Sequence, residues 1–236
     1  MRGLGENSMV RKGVATGFAK ICLIVAGIAG LAGAASAKDG RGLYFGMFGD
    51  YFDGHEVGTQ LPAEQFTSPN VTANASGFGG GIQLGYDHLF YGEWVLGAVA
   101  DVTWGDTQED TNSDKLIWNF NRHTTVRGKL GLAMDPRVVF YGTAGFSAVD
   151  ASLTSGLKAP VAIEEATLTG YTYGAGLDIR LARRWWVNLE YLQSRYQSWE
   201  FSLNGKNYVI DPRSNIMRIG VVIPLDFLYD DHTPLK

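Results

Sequence analysis

From Arg41 to Phe227 apolar and polar side chains alternate with a period of two, the spacing of β-strands whose two faces meet different surroundings. In Gly176–Tyr196 the pattern sets Asp178, Arg180 and Glu190 at alternate positions among Leu177, Ile179, Leu181, Val187, Leu189 and Tyr191. The same sorting recurs along the chain. Leu43, Phe45, Met47 and Tyr51 oppose Tyr44, Gly46, Phe48 and Asp50, and Phe78, Ile82, Leu84 and Tyr86 oppose Gln83, Gly85 and Asp87. Trp94, Leu96, Ala98, Ala100, Val102 and Trp104 oppose Gly97, Val99, Asp101 and Thr103, while Val126, Leu130, Leu132 and Met134 oppose Thr125, Arg127 and Lys129. A fifth segment, RVVFYGTAGFSAV, is apolar on both sides and its orientation stays open. Tyr171, Tyr173, Ala175, Leu177 and Ile179 then oppose Thr172, Asp178 and Arg180, and Trp185, Val187, Leu189 and Tyr191 oppose Trp186, Asn188 and Glu190. Met217, Ile219, Val221, Ile223, Leu225 and Phe227 oppose Arg218, Gly220 and Asp226, which completes eight strands. Pro224 weighs against a fully regular last strand, because proline cannot donate to a ladder.

Between these strands long and short connections alternate. Polar stretches at about 53–76, 106–115, 152–165 and 204–214 are expected as loops, whereas 90–93, 135–136 and 182–184 are short turns. An up-and-down meander with turns at one end and loops at the other is the plan of a bacterial transmembrane β-barrel.

The tryptophans indicate which face is inside. All six lie near predicted strand ends, and Trp94 and Trp104 share a face ten residues apart. At ~3.3 Å per residue and a ~40° tilt they are roughly 25 Å apart along the barrel axis, the height of an outer-membrane apolar band. Trp94, Trp104, Trp118, Trp185, Trp199 and Phe227 are therefore expected at the membrane interfaces. The apolar face then meets lipid. The other face puts Asp50, Asp87, Asp101, Arg127, Lys129, Asp178, Arg180, Glu190 and Arg218 into the lumen, five acids against four bases. Eight strands leave an interior that side chains just fill, so these charges are expected to pair across it. Whether that network is dry or lines a wet pore is not decided by the pattern. Arg122 and Arg195 fall on the lipid side in the outer parts of their strands, a position suited to lipopolysaccharide phosphates.

Composition changes the picture at the N-terminus. Arg11, Lys12 and Lys20 precede the run ICLIVAGIAGLAGAASA, which ends in an A-x-A pattern at Ala35–Ala37, the signature of a signal peptide cut before Lys38. Met9 is an alternative start to Met1. Removing 1–37 takes away four of the 20 bases and one of the 24 acids, leaving 16 against 23 and a formal charge of −7. That sign argues against a nucleic-acid partner. The single Cys22 lies in the signal, so no disulfide or thiolate metal site is expected in the mature chain. The expected organisation is signal peptide 1–37, barrel 38–227 and a short periplasmic tail 228–236.

The motifs GGIQLGYD (80–87), LGAVADVTW (96–104), TTVRGKLGLAM (124–134), FYGTAGFS (140–147) and YTYGAGLDIRLARRWWVNLEYLQSRY (171–196) resemble the small outer-membrane surface antigens of alphaproteobacteria. These porin-like "outer membrane immunogenic protein" barrels are themselves similar to the OmpA transmembrane domain. The resemblance runs from Leu43 to Phe227 and implies an all-β, eight-stranded antiparallel transmembrane barrel in the outer membrane. It also implies outer-membrane lipids, lipopolysaccharide and the barrel assembly machinery as partners. The family usually ends in an aromatic that the machinery recognises; here Phe227 is followed by LYDDHTPLK, so Phe227 or an internal signal must serve.

Candidate chemistry adds little. His88 beside Asp87, and His123 beside Thr124, belong to no Ser–His–acid set on one face and are read as interface histidines. The run DGHE (53–56) lacks a metal-ligand spacing, and GDTQEDTNSD (105–114) lacks the EF-hand glycine and glutamate. Gly79–Gly81 sits inside a strand with no helix after it, which fits close wall packing rather than a phosphate loop. No cofactor, metal or catalytic residue is expected. The reading is a structural, surface-exposed envelope barrel, with a narrow diffusion channel, an adhesin and a lipid-modifying enzyme as successive alternatives. Oligomeric state is open.

Overall fold

The computed structural model describes residues 41–61, 70–109, 116–155, 162–182, 185–203 and 206–225. Nearly all are strand or tight turn. The strands are β1 Gly42–Leu61, β2 Asn70–Phe90, β3 Trp94–Glu109, β4 Leu116–Asp135, β5 Val138–Ser155, β6 Ala162–Ala182, β7 Trp185–Tyr196, β8 Trp199–Leu203, β9 Lys206–Ile210 and β10 Arg213–Pro224. Each pairs antiparallel with its neighbour in the order β10-β7-β6-β5-β4-β3-β2-β1-β9-β8, and β10 also pairs with β1. β7 with β8, and β9 with β10, are two staves, each interrupted once. The result is a closed eight-strand antiparallel barrel. Pro212 has no N–H to give the ladder at the second break, but its carbonyl accepts from the Tyr196 amide at 3.1 Å. The Ser198 hydroxyl donates to Asp211 at 2.5 Å across the two interruptions.

The register fixes the barrel's dimensions. Followed once around, Tyr196 faces Gly170, then Ser147, Thr125, Asp101, Gln83, Gly46 and Val222, and the path returns to β7 at Trp186. The stagger is thus ten residues, Tyr196 to Trp186. With eight strands it sets a tilt of about 40° and a lumen that side chains can fill.

The sidedness follows the alternation. Met47, Phe78, Trp94, Leu96, Trp104, Leu130, Phe146, Trp185, Met217 and Ile219 are exposed on the outer wall, Phe78 at 77%. Asp50, Asp87, Asp101, Arg127, Lys129, Asp178, Glu190 and Arg218 are buried inside. An apolar belt of this extent facing outward is what lipid requires and water does not tolerate. The fifth strand is now oriented: Val139, Tyr141, Thr143, Ser147 and Val149 point in, and Phe140 and Phe146 point out.

Three inward glycines sit directly opposite inward aromatic rings, Gly85 against Tyr44, Gly81 against Phe48 and Gly176 against Tyr141. A Cβ on Gly85 or Gly176 would lie 2.3 Å from the Tyr44 or Tyr141 ring, so the missing side chain is the space the ring occupies. In the described tight turns the left-handed region is used at Tyr91 and Gly92, with φ of 52° and 75°. The Glu93 amide closes that turn on the Phe90 carbonyl at 3.2 Å, the hairpin geometry that suits strand twist.

Several expectations are corrected. In the stretches expected as loops, the described residues 53–61, 70–76, 106–109, 152–155, 162–165, 206–210 and 213–214 are strand. Past the lipid band alternation stops being selected, while backbone pairing continues, and the β1–β2 ladder persists to Thr59 and Asn70. Pro224 is accommodated as the last residue of β10. The expected signal segment 1–37, Phe227 and the tail 228–236 lie outside the described residues, as do the side chains of Trp118 and Trp199.

Replacing Gly176 by Val should push Tyr141 off its seat and lower stability by about 1–3 kcal/mol, the usual cost of overpacking. Urea titration of the barrel in lipid vesicles, followed by tryptophan fluorescence, reads the shift; an unchanged midpoint contradicts the packing described.

Candidate functional site

The charged lumen is the candidate site, and the staggered register builds it in two layers. Toward the turn end, Asp87 on β2 and Asp178 on β6 share two cations. Lys129 Nζ lies 2.6 Å from Asp178 and 3.1 Å from Asp87, and Arg41 pairs with both carboxylates, its Nε donating to Asp87 at 2.9 Å. The Arg41 guanidinium lies over the rings of Tyr44 and Trp186, 4.8 and 4.9 Å from their centroids, and Lys129 Nζ is 4.0 Å from the Tyr141 centroid. Aromatic faces thus complete the cations' surroundings where water is excluded.

The second layer lies one to two turns of pleat further along. Arg218 on β10 forks onto Asp50 at 2.8 and 3.0 Å and reaches Asp101 at 3.2 Å. Arg127 on β4 bridges Asp101 at 2.8 Å and Glu190 at 2.7 Å. Thr125 donates to Asp101 at 2.6 Å and Thr103 to Asp50 at 3.0 Å, so hydroxyls add donors to these two carboxylates. The Arg218 guanidinium sits 3.5 Å from the Phe48 centroid. Tyr141 and Asn188 join the layers: the Tyr141 hydroxyl donates to Glu190 at 3.2 Å, and the Asn188 amide donates to Tyr141 at 2.6 Å and to Asp178 at 2.7 Å. Arg127 is only 1% exposed, so these pairs act in a low-dielectric medium where loss of one partner strands the other.

Apolar side chains close the lumen on both sides of the network. Tyr44, Val95, Val139, Trp186 and Val222 pack together at the turn end. Phe52, Val149, Leu168, Leu192, Tyr196 and Ile216 pack at the loop end. Between Tyr44, Gln83, Lys129, Tyr141 and Glu190 the free space is about 10 Å³, room for about one water. A second cavity of about 30 Å³ lies against Thr103, His123 and Ile216.

Eight of the nine expected lumen charges meet in this network. Arg180 is instead half-buried near the turn end, its guanidinium 5.8 Å from the Trp186 centroid. A side chain two residues past Asp178 is carried out of the packed interior as its strand ends. The sequence reading missed Arg41, which stands at the very start of the alternation, just before Gly42 with its φ of 61°. It also missed the inward Tyr44, Tyr141 and Asn188 as members of the network. His123, read as an interface histidine, is in fact buried in the lumen beside Tyr196, with ring centroids 6.4 Å apart. His88 does sit on the outer wall, edge-on to Phe90 at 4.4 Å.

On the outside, Trp94, Trp104 and Trp185 stand half-exposed at the two rims. Arg122 is opposite Trp104 in the register and donates to Asp150 at 2.6 Å. Arg195 is exposed and opposite Tyr171. Among the described residues no group of three or more His, Cys, Asp or Glu is arranged to hold a metal ion.

Residues 21–222 match the family model for the outer membrane protein beta-barrel domain. The chain belongs to that family. The barrel is 29% identical over 145 residues to the 22 kDa outer membrane protein of Rhizobium leguminosarum bv. viciae, covering 61% of this chain and 65% of the relative. It is also 29% identical over 139 residues to the 31 kDa outer-membrane immunogenic protein of Brucella melitensis biotype 1, covering 53% of this chain and 56% of that protein. In both comparisons the match spans less than two thirds of the relative's length. Among solved structures, neisserial surface protein A is similar, with a TM-score of 0.45, 13% identity, and coverage of 78% of this chain and 97% of that one. The family and the names of these relatives support an outer-membrane location for this barrel.

Truncating Arg127 to Ala in this outer-membrane barrel should strand Asp101 and Glu190 and cost about 3–5 kcal/mol. Arg127→Met combined with Glu190→Met should cost clearly less, because no member of that pair is left charged. Urea midpoints in vesicles measure both, and equal losses would show that the ion pair contributes nothing beyond packing.

Proposed function

We propose that this protein is a non-conducting, non-enzymatic wall element of the outer membrane, stabilising the envelope and presenting its outer loops at the cell surface. The observation that carries the reading is the sealed lumen: a paired network of buried charge held between two apolar plugs. A pore would need a continuous wet path, and two cavities beside the network hold only about 10 and 30 Å³. The relatives' names, which speak of location and immunogenicity, support a surface role.

In this reading the chain is exported by the signal peptide at 1–37 and cut before Lys38. The assembly machinery takes up the last strand, with Phe227 as the terminal aromatic. The outer wall is solvated by membrane lipids, and Arg195 at the upper rim meets lipopolysaccharide, while Arg122, three strands away on β4, is joined to Asp150.

Planar-bilayer recording tests the sealed lumen. The wild-type barrel should insert stably without current steps, whereas opening both plugs together (Trp186→Ala with Leu192→Ala and Ile216→Ala) should produce them. Discrete, reproducible steps from the wild-type chain would replace this reading with a diffusion channel.

A further inference from the structure

Arg195 and Arg213 are register partners on β7 and β10, and both are exposed on the outer wall. Directly opposed residues of an antiparallel pair project from the same face with their Cβ atoms ~4.5–5.5 Å apart, and like charges there repel. Among the described residues no carboxylate pairs with either guanidinium. Asp53, a diagonal neighbour on β1 opposite Asn215, forms no ion pair with Arg213, and Asp211 accepts from Ser198. Arg122, by contrast, has its own carboxylate in Asp150. Among the described residues the doublet is thus a concentrated positive site with no carboxylate paired to it.

What lies beneath the doublet indicates the kind of anion. On the same outward face, Tyr173 donates to Gln193, Gln193 donates to Asn215 at 3.1 Å, and Tyr191 donates to Asn215 at 3.1 Å. This ladder of phenols and amides runs across β6, β7 and β10. Below it the wall turns to Met217 and Ile219, about three-fifths exposed and suited to acyl chains. Tyr171 stands opposite Arg195 at the rim. From the membrane outward the face therefore presents hydrocarbon, then amide and phenol groups, then two guanidiniums, the order of acyl chain, sugar and phosphate in a phosphorylated glycolipid.

We propose that Arg195 and Arg213 clamp one phosphate of such a glycolipid in the outer leaflet, with its sugar against Gln193, Asn215 and the flanking tyrosines. Guanidinium forks fit phosphate oxygens two at a time, and the bound dianion removes the repulsion between the two arginines. The inference deepens the lipopolysaccharide contact proposed above and rests on the outer wall facing lipid, not on the sealed lumen.

The test uses the barrel purified in detergent micelles, with bisphosphorylated lipid A and its dephosphorylated form as probes and native mass spectrometry to count adducts. Wild-type protein, Arg195→Gln, Arg213→Gln, the double variant, and Arg137→Gln at the turn end are compared, with folding checked by heat-modifiable gel mobility. Wild-type and Arg137→Gln should retain the phosphorylated lipid about tenfold over the dephosphorylated one, and the double variant should lose that preference. Should the double variant not fold, the single variants decide: both must lose most of the preference, and an unchanged preference in either overturns the clamp. Equal retention of the two lipids by the wild-type chain also overturns it. Displacement of the lipid by millimolar inorganic phosphate would show a free-anion site and reject the glycolipid. A wild-type barrel that conducts ions yet keeps the preference would remove the sealed-lumen reading and leave the clamp standing; a sealed barrel without it would do the reverse.

Discussion

The ladder between β1 and β10 joins the chain's first strand to its last, and the other features of this barrel depend on that closure. An unpaired edge in hydrocarbon leaves a row of amides and carbonyls with no partner, at several kcal/mol each. Closure removes the edge, and the ten-residue stagger with which it occurs sets how wide the cylinder is. With eight strands at that stagger the lumen is neither collapsed nor open. It is a core, and it must be filled and satisfied as one.

That requirement explains the interior's chemistry. Inward positions are polar because the outward ones had to be apolar, so the core inherits carboxylates and guanidiniums, which must then neutralise one another. Asp101 does this by holding Arg127 and Arg218 together, and Asp178 by holding Lys129 and Arg41. The strands that contribute each layer are far apart in sequence, so the network ties distant staves together. Where aromatic rings are needed to shelter cations, glycines on the opposing strand leave the room, as at Gly176 beneath Tyr141 and Gly85 beneath Tyr44. The two apolar clusters flank the paired charges, and burial between them strengthens their coupling.

The outer wall answers to a different solvent. Its middle is Leu, Ile, Met and Phe; its rims are tryptophan and tyrosine; and the basic residues described on it fall at the rims, as Arg122 opposite Trp104, Arg195 opposite Tyr171 and Arg137 at the turn end show. A guanidinium any deeper would have to be buried in hydrocarbon or find a carboxylate there. Function on this face follows from depth: hydrocarbon contacts in the belt, headgroup contacts at the rim, and extended strands continuing outward past it.

The chain's own pattern determined which residues are strand and which face meets lipid, because alternation is local and each strand records both its environments. Trp94 and Trp104 added the scale, since their ten-residue spacing is the membrane's thickness written along one strand. Eight of the lumen charges were legible for the same reason. The pattern was silent where both faces of a strand are apolar, as in β5. It was silent too where pairing outlasts the lipid, as in the outer parts of β1, β2 and β4, and it misplaced His123. Arg41 was not legible because it stands at the edge of the alternation, beside Gly42 with its positive φ. Only the tertiary structure decided who pairs with whom: that Arg127 meets Glu190 rather than Asp178, that plugs close both ends, and that Arg195 faces Arg213. Those contacts depend on closure and stagger, properties of the whole cylinder that no single strand encodes.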